Sequence, residues 1–372
     1  MAQIVVLSRR SIRHPLAGGA SRYVHEIFRR LTDRYSITIL SSGGSNCKPL
    51  EEIDGISYRH FPDIFHRVSL PARYIAKFAR NTDILFDNSD VGVPWLSPFY
   101  VRAHRITIVH QLVREVFYQE LPRPLSDFGF FFEPLLYRLY SKSRIVAVSK
   151  STASDLVSCG IPEGRIDVVT PGCENSDHPQ TTLRERYPNT IGCVTRLMKY
   201  KGVDLALMAF NRIVKKVPEA RLLIAGSGPY QRELEKKAND LGVSQSVSFL
   251  GKISDLSKFK LYSTTRVMIS PSQREGFGMS VIEANSVGTP VVGWNVPGLR
   301  DSIVHNETGF LAPFPNDFAL AEDVLRLLND DTAWDRLSHN AWKWSLAHSW
   351  DRSANEFEAI IERTLTSDNS QD

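Results

Sequence analysis

The sequence predicts an α/β protein built from two Rossmann-like domains. The first half alternates short apolar runs with helical stretches, as in a doubly wound parallel sheet. The same alternation begins again after Pro188. A chain of 372 residues is also long enough for two domains that each bury a core of their own.

Six strands are predicted in the first half. They are Gln3 to Ser8, Ile37 to Ser41, Asp83 to Asp87, Ile106 to His110, Ile145 to Ser149 and Ile166 to Thr170. Helices are expected at Gly19 to Leu31 and at Lys150 to Cys159. We place the first domain at residues 1–175.

Six further strands are predicted after Pro188. They are Ile191 to Thr195, Arg221 to Ala225, Val247 to Leu250, Val267 to Ser270, Val291 to Gly293 and Gly309 to Leu311. The second domain is placed at residues 176–349, with a linker at Pro179 to Thr182. Ser349 is a suitable N-cap for a last helix that begins at Trp350, and the polar tail Ser367 to Asp372 is expected to fray.

The composition indicates a globular protein, with 42% hydrophobic and 23% charged residues. No stretch approaches the ~18 apolar residues of a membrane span. Met1 to Leu7 is too short for a signal segment, so a cytoplasmic protein is expected. The four cysteines show no metal-type spacing and are expected to be reduced.

The charge is shared unevenly between the two halves. Residues 1–180 hold 22 Lys and Arg against 18 Asp and Glu, whereas the remainder holds 23 of each. A modest basic excess suits an anionic substrate or anionic lipid headgroups, and it is equally compatible with an ordinary solvated surface.

The segment from Ser270 to Pro290 carries the strongest functional signal. Val267 to Ser270 predicts the end of a buried strand, Pro271 to Gly278 a loop, and Met279 to Ser286 a helix that stops near Gly288.

Two carboxylates, Glu275 and Glu283, flank this turn. The N–H groups of Gly278, Met279 and Ser280 would be the free donors of a helix N-terminus, which suit a phosphate. With ~1.5 Å of rise per helical residue, the carboxylates would lie about 10 Å apart, roughly as far as the ribose and hexose of a nucleotide-sugar. The alternative is a purely structural role, in which the segment is a common α/β connection and a glutamate complements the helix dipole.

The pattern Glu275-Gly-Phe-Gly-x4-Glu283, followed by Gly288-Thr-Pro-Val-Val, resembles the signature of the retaining family 4 glycosyltransferases. Further segments match that family in order and spacing: Gly18-Gly19, His110, and Arg196 with Lys201-Gly202. The resemblance covers nearly the whole chain. It implies the GT-B fold, in which parallel sheets of two Rossmann-like domains face across a cleft and the last helix, 350–366, completes the first domain.

The resemblance also implies the site residues. Substrate binding would involve Gly18, Gly19, Arg196, Lys201, Ile253, Glu275, Gly276, Phe277, Gly278, Met279, Ser280 and Glu283. Glu275 would bind sugar hydroxyls near the anomeric carbon, and Glu283 would bind the ribose. His110 would lie beside the donor sugar; the family commonly has Asp after this histidine, but here Gln111 follows.

Arg196 and Lys201 have a clear chemical rationale at such a site. The diphosphate gains negative charge as its bond to the sugar breaks, so fixed cations stabilise the transition state more than the ground state. Without the resemblance, solvated surface cations would be the ordinary interpretation. The resemblance implies that His110, Glu275, Arg196 and Lys201 are the catalytic residues.

The family implies front-face substitution, in which the departing phosphate oxygen accepts the proton of the acceptor. No Asp-x-Asp occurs, and the nearest approximation is Asp87-Asn-Ser-Asp90. We expect no metal and no cofactor, because the cations and the helix dipole would take the role of the metal.

Parts of this pattern also occur in proteins of other functions. An epimerase of the same fold would act on the donor alone, and a non-catalytic homologue would only bind it. A glycosidase also uses paired carboxylates but has no role for a phosphate-binding loop. Gly226-x-Gly228 after a strand is reminiscent of a dinucleotide-binding loop, but Gln231 replaces the third glycine.

The apolar stretch Phe128 to Tyr140 is expected to pack inside the first domain; the alternative is a membrane-facing surface for a lipid-linked acceptor. The sequence thus predicts transfer of a hexose from a UDP- or GDP-sugar to a hydroxyl of a glycan or lipid-linked acceptor. Peripheral contact with the inner face of the membrane is an option, and no nucleic-acid partner is expected.

Overall fold

The structure is a computed structural model that describes residues 1–44, 47–61, 82–90, 94–174 and 186–366. The predicted linker Pro179 to Thr182 and the predicted tail Ser367 to Asp372 lie outside these residues.

The described residues form strands and helices that alternate along the chain. The strands are β1 (Ala2–Arg10), β2 (Tyr35–Ser42), β3 (Leu50–Ile53), β4 (Ile56–Phe61), β5 (Ile84–Ser89), β6 (His104–Val109), β7 (Arg144–Ala147), β8 (Ile166–Val168), β9 (Tyr187–Val194), β10 (Arg221–Ala225), β11 (Val247–Gly251), β12 (Thr265–Ser270), β13 (Val291–Trp294) and β14 (Gly309–Ala312).

The helices are α1 (Gly19–Phe28), α2 (Phe117–Glu120), α3 (Leu125–Arg138), α4 (Lys150–Ser158), α5 (Val203–Lys216), α6 (Gln231–Asp240), α7 (Asp255–Thr264), α8 (Met279–Ser286), α9 (Leu299–Ser302), α10 (Asp317–Asn329), α11 (Asp331–Leu346) and α12 (Trp350–Thr366). Short 3₁₀ turns lie at Arg29–Leu31, Ser97–Phe99, Arg114–Val116, Glu163–Arg165, Lys199–Lys201 and Ser244–Ser246.

The chain divides into two compact units. Unit 1 comprises Met1–Phe117, Arg123–Gly172 and Trp350–Asp372; unit 2 comprises Tyr118–Pro122 and Cys173–Ser349. The short segment Tyr118–Pro122 was not anticipated, because it lies in the middle of the first half yet belongs to unit 2.

Unit 1 contains a sheet in the order β3-β4-β2-β1-β5-β6-β7-β8. All neighbouring strands are parallel except β3 and β4, which form an antiparallel hairpin at one edge. Asp54 and Gly55 make its turn with φ of 50° and 77°. An Asp-Gly dipeptide favours positive φ at both central residues of a hairpin turn. This dipeptide was therefore a local signal for the β3–β4 hairpin, which was not predicted from the sequence.

Unit 2 contains a parallel sheet in the order β11-β10-β9-β12-β13-β14. Its first strand, β9, thus lies between β10 and β12, which is the Rossmann order, and chain direction across the sheet reverses between β9 and β12. Two parallel α/β units of this kind confirm the predicted fold class. In such sheets ligands bind beyond the carboxyl ends of the strands at the reversal point.

Each unit has its own apolar core. In unit 2, Ile191 and Cys193 of β9 pack with Leu207 and Phe210 of α5, all fully buried. In unit 1, Phe357 of α12 contacts the rings of Phe28 and Phe86. Helix α12 is therefore an integral part of the unit 1 core.

The expectation that Phe128 to Tyr140 packs inside its domain is wrong for most of its apolar residues. Helix α3 instead buries Glu133, whose carboxylate accepts hydrogen bonds from the N–H groups of Val113 (2.6 Å) and Arg114 (2.9 Å). The polar side of the helix faces inward because those amides need an acceptor. Phe128, Phe131, Phe132, Leu135 and Leu139 are exposed. Within the described ranges, no helix has the length and apolar character to cross a membrane.

Candidate functional site

The loops that follow β9 and β12 meet in unit 2, at the reversal point of its sheet. Nζ of Lys201 donates to Oε1 of Glu275 across 2.6 Å, and the two side chains are 8% and 18% exposed. Gly202 makes this approach possible: it has φ of 64°, and a Cβ there would lie 2.1 Å from the carbonyl oxygen of Pro271. Two residues predicted to serve the same ligand are therefore in direct contact.

Arg196 lies in the same loop as Lys201. Its Nη2 donates to the hydroxyl of Tyr200 (3.2 Å), and Nζ of Lys201 lies 4.8 Å from the centre of the Tyr200 ring. Tyr200 thus positions both cations, a role that the sequence analysis missed.

Gly226 and Gly228 support that loop by close backbone packing. A Cβ at Gly226 would lie 1.7 Å from the carbonyl oxygen of Thr195, and one at Gly228 would lie 2.2 Å from that of Leu197. These glycines allow a tight strand-to-helix turn, because a side chain at either position would clash with the backbone.

Helix α8 begins immediately after the predicted glycine-rich turn. Gly278 is its N-cap, with φ of 92°, no side chain caps the first turn, and no acidic residue lies there. Met279 and Ser280 are partly exposed, whereas Phe277 is buried against His348, with ring centres 5.6 Å apart. Gly276 lies partly exposed between Glu275 and Phe277. The N-terminal amides of α8 are thus available to an anion.

Glu283 lies one turn inside α8 and is held by helix α7. Oε1 accepts from Nζ of Lys258 (2.9 Å), and Oε2 accepts from the hydroxyl of Tyr262 (3.0 Å). A carboxylate is a hydrogen-bond acceptor with two oxygens, which is the chemistry that a pair of hydroxyl groups requires. Ile253 lies partly buried two residues before α7. Lys258 and Tyr262 were not predicted from the sequence, although their spacing of four residues places them on one face of α7.

The segment Tyr118–Pro122 contacts this part of unit 2. Oε1 of Glu120 accepts from the N–H of Tyr200 (3.3 Å), and Nε2 of Gln273 donates to Oε1 of Gln119 (3.1 Å). Tyr200 and Gln273 are near neighbours in sequence of Lys201 and Glu275. The segment therefore buttresses both site loops from a distant part of the chain.

In unit 1, the predicted Gly-Gly motif begins helix α1. Gly18 is its N-cap in an extended conformation, and a Cβ on Gly18 would meet nothing within 4 Å. Gly19 is exposed, and the first turn carries no acidic residue. The open space around Gly18 allows a ligand to approach the backbone closely.

His110 directly follows β6 in unit 1. Its Nε2 lies 2.8 Å from Oδ1 of Asn88, while Nδ2 of Asn88 donates to Oγ of Ser8 (3.3 Å). The ring packs edge-on against Tyr23, and burial lowers the pKa of His110 to about 3. Hence His110 is neutral near pH 7, with Nε2 donating and Nδ1 left as an acceptor.

The Asp87-Asn-Ser-Asp90 segment is engaged in internal contacts. Asp87 is fully buried and accepts from the hydroxyls of Ser97 (2.7 Å) and Tyr140 (2.6 Å), while Asp90 pairs with Arg9 at 3.0 Å. Burial raises the pKa of Asp87. Both carboxylates are thus engaged in contacts within unit 1.

A set of possible metal ligands lies elsewhere in unit 1. The ligand atoms of Cys47, Glu51 and His60 lie within 4.8 Å of one another, a grouping that cysteine spacing could not indicate. Oε2 of Glu51 already pairs with Arg13 at 2.9 Å. The cysteines form no disulfide, as expected, and Cys159, Cys173 and Cys193 are buried.

Comparison with known proteins gives two consecutive family matches. Residues 17–176 match Glycosyltransferase Family 4, and residues 175–344 match Glycosyl transferases group 1. Among curated relatives, the capsular polysaccharide biosynthesis glycosyltransferase CapM of Staphylococcus aureus is 29% identical over 55% of this chain and 57% of its own length.

A GDP-mannose-dependent alpha-(1-6)-phosphatidylinositol monomannoside mannosyltransferase of Mycobacterium tuberculosis is 29% identical over 56% of this chain and 59% of its own length. The alignments thus span little more than half the length of these relatives. Among solved structures, HepE of Anabaena in complex with UDP and glucose has a TM-score of 0.79 at 17% identity, covering 98% of this chain and 100% of that one.

Two Rossmann-like units of this order define a protein of the GT-B fold. With both family matches, the chain belongs to the family 4 glycosyltransferases.

Proposed function

We propose that this protein is a retaining hexosyltransferase. It transfers a hexose from a UDP- or GDP-sugar to a hydroxyl of a glycan or lipid-linked acceptor. The proposal is carried by the contact of Lys201 with Glu275 beside Arg196, because these groups match a donor that joins an anionic diphosphate to a sugar.

The diphosphate is assigned to Arg196, Lys201 and the N-terminal amides of α8. Lys201 has three N–H donors and uses one on Glu275, so two remain for phosphate oxygens. Arg196 adds planar donors that suit phosphate. As the bond to the sugar breaks, these groups stabilise the charge that develops on the leaving group.

Glu283 and Glu275 are assigned to opposite ends of the donor. The rigid carboxylate of Glu283, held by Lys258 and Tyr262, binds the ribose diol, with Ile253 near the base. Glu275 accepts hydrogen bonds from sugar hydroxyls near the anomeric carbon. Its contact with Lys201 fixes the sugar relative to the diphosphate.

The reaction is a front-face substitution. The bond between the anomeric carbon and the acceptor oxygen forms as the bond to the phosphate oxygen breaks. The acceptor proton passes to that departing oxygen, and the configuration is retained. The protein contributes positioning and electrostatic stabilisation. For unit 1 we propose that the backbone at Gly18 and Gly19 contacts phosphate and acceptor, and that neutral His110 accepts a hydrogen bond from the sugar through Nδ1.

No metal and no organic cofactor enter this scheme, and the protein acts in the cytoplasm. We assign the acceptor as a lipid-linked molecule at the inner face of the membrane. The exposed aromatic side chains of α3 support this assignment, because large apolar side chains on the surface are available to acyl chains.

The direct test is a turnover assay with a panel of UDP- and GDP-hexoses, each with and without glycan or lipid-linked acceptors. The proposal expects nucleoside diphosphate release that depends on acceptor, survives a chelator, and yields a product with the donor's anomeric configuration by NMR. Conversion of the donor without any acceptor would instead indicate an epimerase. Binding of a nucleotide-sugar with no turnover across a broad acceptor panel would contradict catalysis.

A further inference from the structure

A strongly basic cavity lies in unit 1, and none of the residues assigned to the donor lines it. Its volume is about 640 Å³. Six cationic side chains line it: Arg102, Arg105, Lys142, Arg144, Arg165 and Arg363. The lining includes one carboxylate, that of Asp83. A cavity of this size fits a small ligand rather than a few waters.

The cavity lies at the amino ends of three strands. Arg105 is the second residue of β6, Arg144 is the first of β7, and Asp83 immediately precedes β5. Gly18, Gly19 and His110 follow the carboxyl ends of their strands, where ligands bind in open α/β sheets. The basic cavity is consequently at the opposite edge of the same sheet.

Its cations are only partly neutralised by the protein. Asp167 pairs with Arg144 (2.5 Å) and with Arg363 (3.0 Å). Within the part of the chain that the structure describes, no carboxylate pairs with Arg102, Lys142 or Arg165. So many like charges around one cavity repel one another unless an anion lies between them.

Arg105 provides a donor that faces no acceptor. Its Nη1 donates to the carbonyl of Val101, whereas its Nε–H is buried and has no hydrogen-bond partner among the described residues. A buried donor without a partner is costly, so the cation of Arg105 is held beside the cavity with part of its hydrogen-bonding capacity unused by the described residues.

We propose that this cavity binds a phosphate-bearing anion. Guanidinium groups bind phosphate through paired N–H donors, and several of them around one cavity match the charge of a phosphomonoester or diphosphate. The phosphate belongs either to a soluble phosphorylated molecule or to a lipid headgroup, and both present the same chemistry to these side chains. This proposal does not depend on the proposed transferase activity.

The test uses the full chain with Arg196→Ala and Lys201→Ala, which weakens any pyrophosphate binding at the proposed donor site and is shared by every variant compared. Binding of inorganic phosphate and of pyrophosphate is measured by calorimetry, and sedimentation is measured with vesicles that contain phosphatidylglycerol or phosphatidylcholine alone. Into this background we introduce Arg102→Ala with Arg165→Ala, both exposed positions. The matched control is Arg123→Ala with Lys150→Ala, which removes the same charge from other exposed sites of unit 1.

We expect the cavity variant to bind pyrophosphate about tenfold more weakly or worse, because it loses charge-assisted hydrogen bonds. The affinity of the control should be unchanged. If only phosphatidylglycerol vesicles bind, and the cavity variant loses that binding, the ligand is a lipid headgroup. The proposal is overturned if phosphate, pyrophosphate and phosphatidylglycerol vesicles all fail to bind. It is also overturned if the cavity variant and the control bind these probes with equal affinity.

Discussion

Nζ of Lys201 lies 2.6 Å from Oε1 of Glu275, although 74 positions separate them in sequence. A cation assigned to the diphosphate thus touches a carboxylate assigned to the sugar. Removing either partner should therefore disturb both halves of the donor.

Glu275→Gln should lower kcat by about 100-fold, the usual cost of losing one electrostatic contact that matters most in the transition state. The amide keeps the shape but neither attracts Lys201 nor accepts as strongly from sugar hydroxyls. The measurement is steady-state transfer with the best donor of the panel. Glu307→Gln, at an exposed position of unit 2, is the control. A Glu275→Gln enzyme as fast as this control would refute the assignment.

Lys258→Ala should raise KM for the donor more than it lowers kcat, because Glu283 loses the ammonium that orients it towards the ribose. We also expect a stability loss of about 2 kcal/mol, since the carboxylate is buried. Donor titrations and thermal unfolding measure both effects. Lys260→Ala, on the exposed side of the same helix, should change neither. Equal KM values for the two variants would remove Glu283 from the ribose site.

Gly202→Ala and Gly242→Ala form a matched pair, with φ of 64° and 72°. A Cβ at Gly242 meets nothing within 4 Å, so this change should cost only about 1 kcal/mol of backbone strain. At Gly202 the clash with Pro271 should add roughly 1–3 kcal/mol and separate Lys201 from Glu275. The unfolding temperature and the turnover number should both be lower for Gly202→Ala than for Gly242→Ala. Equal values would mean that the close approach of Gly202 to Pro271 is unimportant.

The pKa of His110, lowered to about 3 by burial, makes a prediction about pH. Between this value and the ordinary ~6.5, the unfolded chain binds a proton that the folded chain does not. Stability contributed by neutral His110 is therefore present above pH ~6.5 and is lost as pH falls, by at most about 1.4 kcal/mol per unit. Unfolding temperatures from pH 7 to 5 should fall less steeply for His110→Gln than for the wild type; parallel curves would contradict this.

Phe131→Ser should leave the stability within about 0.5 kcal/mol, because the side chain is 69% exposed. If α3 contacts a lipid-linked acceptor, the same change should slow transfer to that acceptor but not to a water-soluble one. Phe99→Ser is the control, with the same exposure of 69% elsewhere in unit 1. Equal transfer by both variants to both acceptors would exclude α3 from acceptor binding.

Local patterns were sufficient to predict most of the fold. Helix α8 begins at Met279 and ends at Ser286 as predicted, because a glycine-rich turn and a following Gly288 are local signals. The hairpin of β3 and β4 also had a local signal in Asp54-Gly55, but its edge strand is short and polar.

Contacts between side chains of different elements could not be predicted from the sequence. Nothing near Glu283 indicates that Lys258 and Tyr262 will hold it, since that depends on how α7 packs beside α8. Similarly, the apolar content of α3 predicted a core helix. The hydrogen bonds from the N–H groups of Val113 and Arg114 to the carboxylate of Glu133 turn its polar side inward, and these contacts are visible only in the structure.

The assignment of Tyr118–Pro122 to unit 2 has a practical consequence. These five residues leave unit 1 after Phe117 and rejoin it at Arg123, so a fragment cut at the interdomain linker would lack the side chains of Gln119 and Glu120. Expressing residues 186–349 alone should then give a protein whose loops at Tyr200 and Gln273 have lost their support. A peptide of residues 118–122, added back or fused to the fragment, is the natural way to restore it.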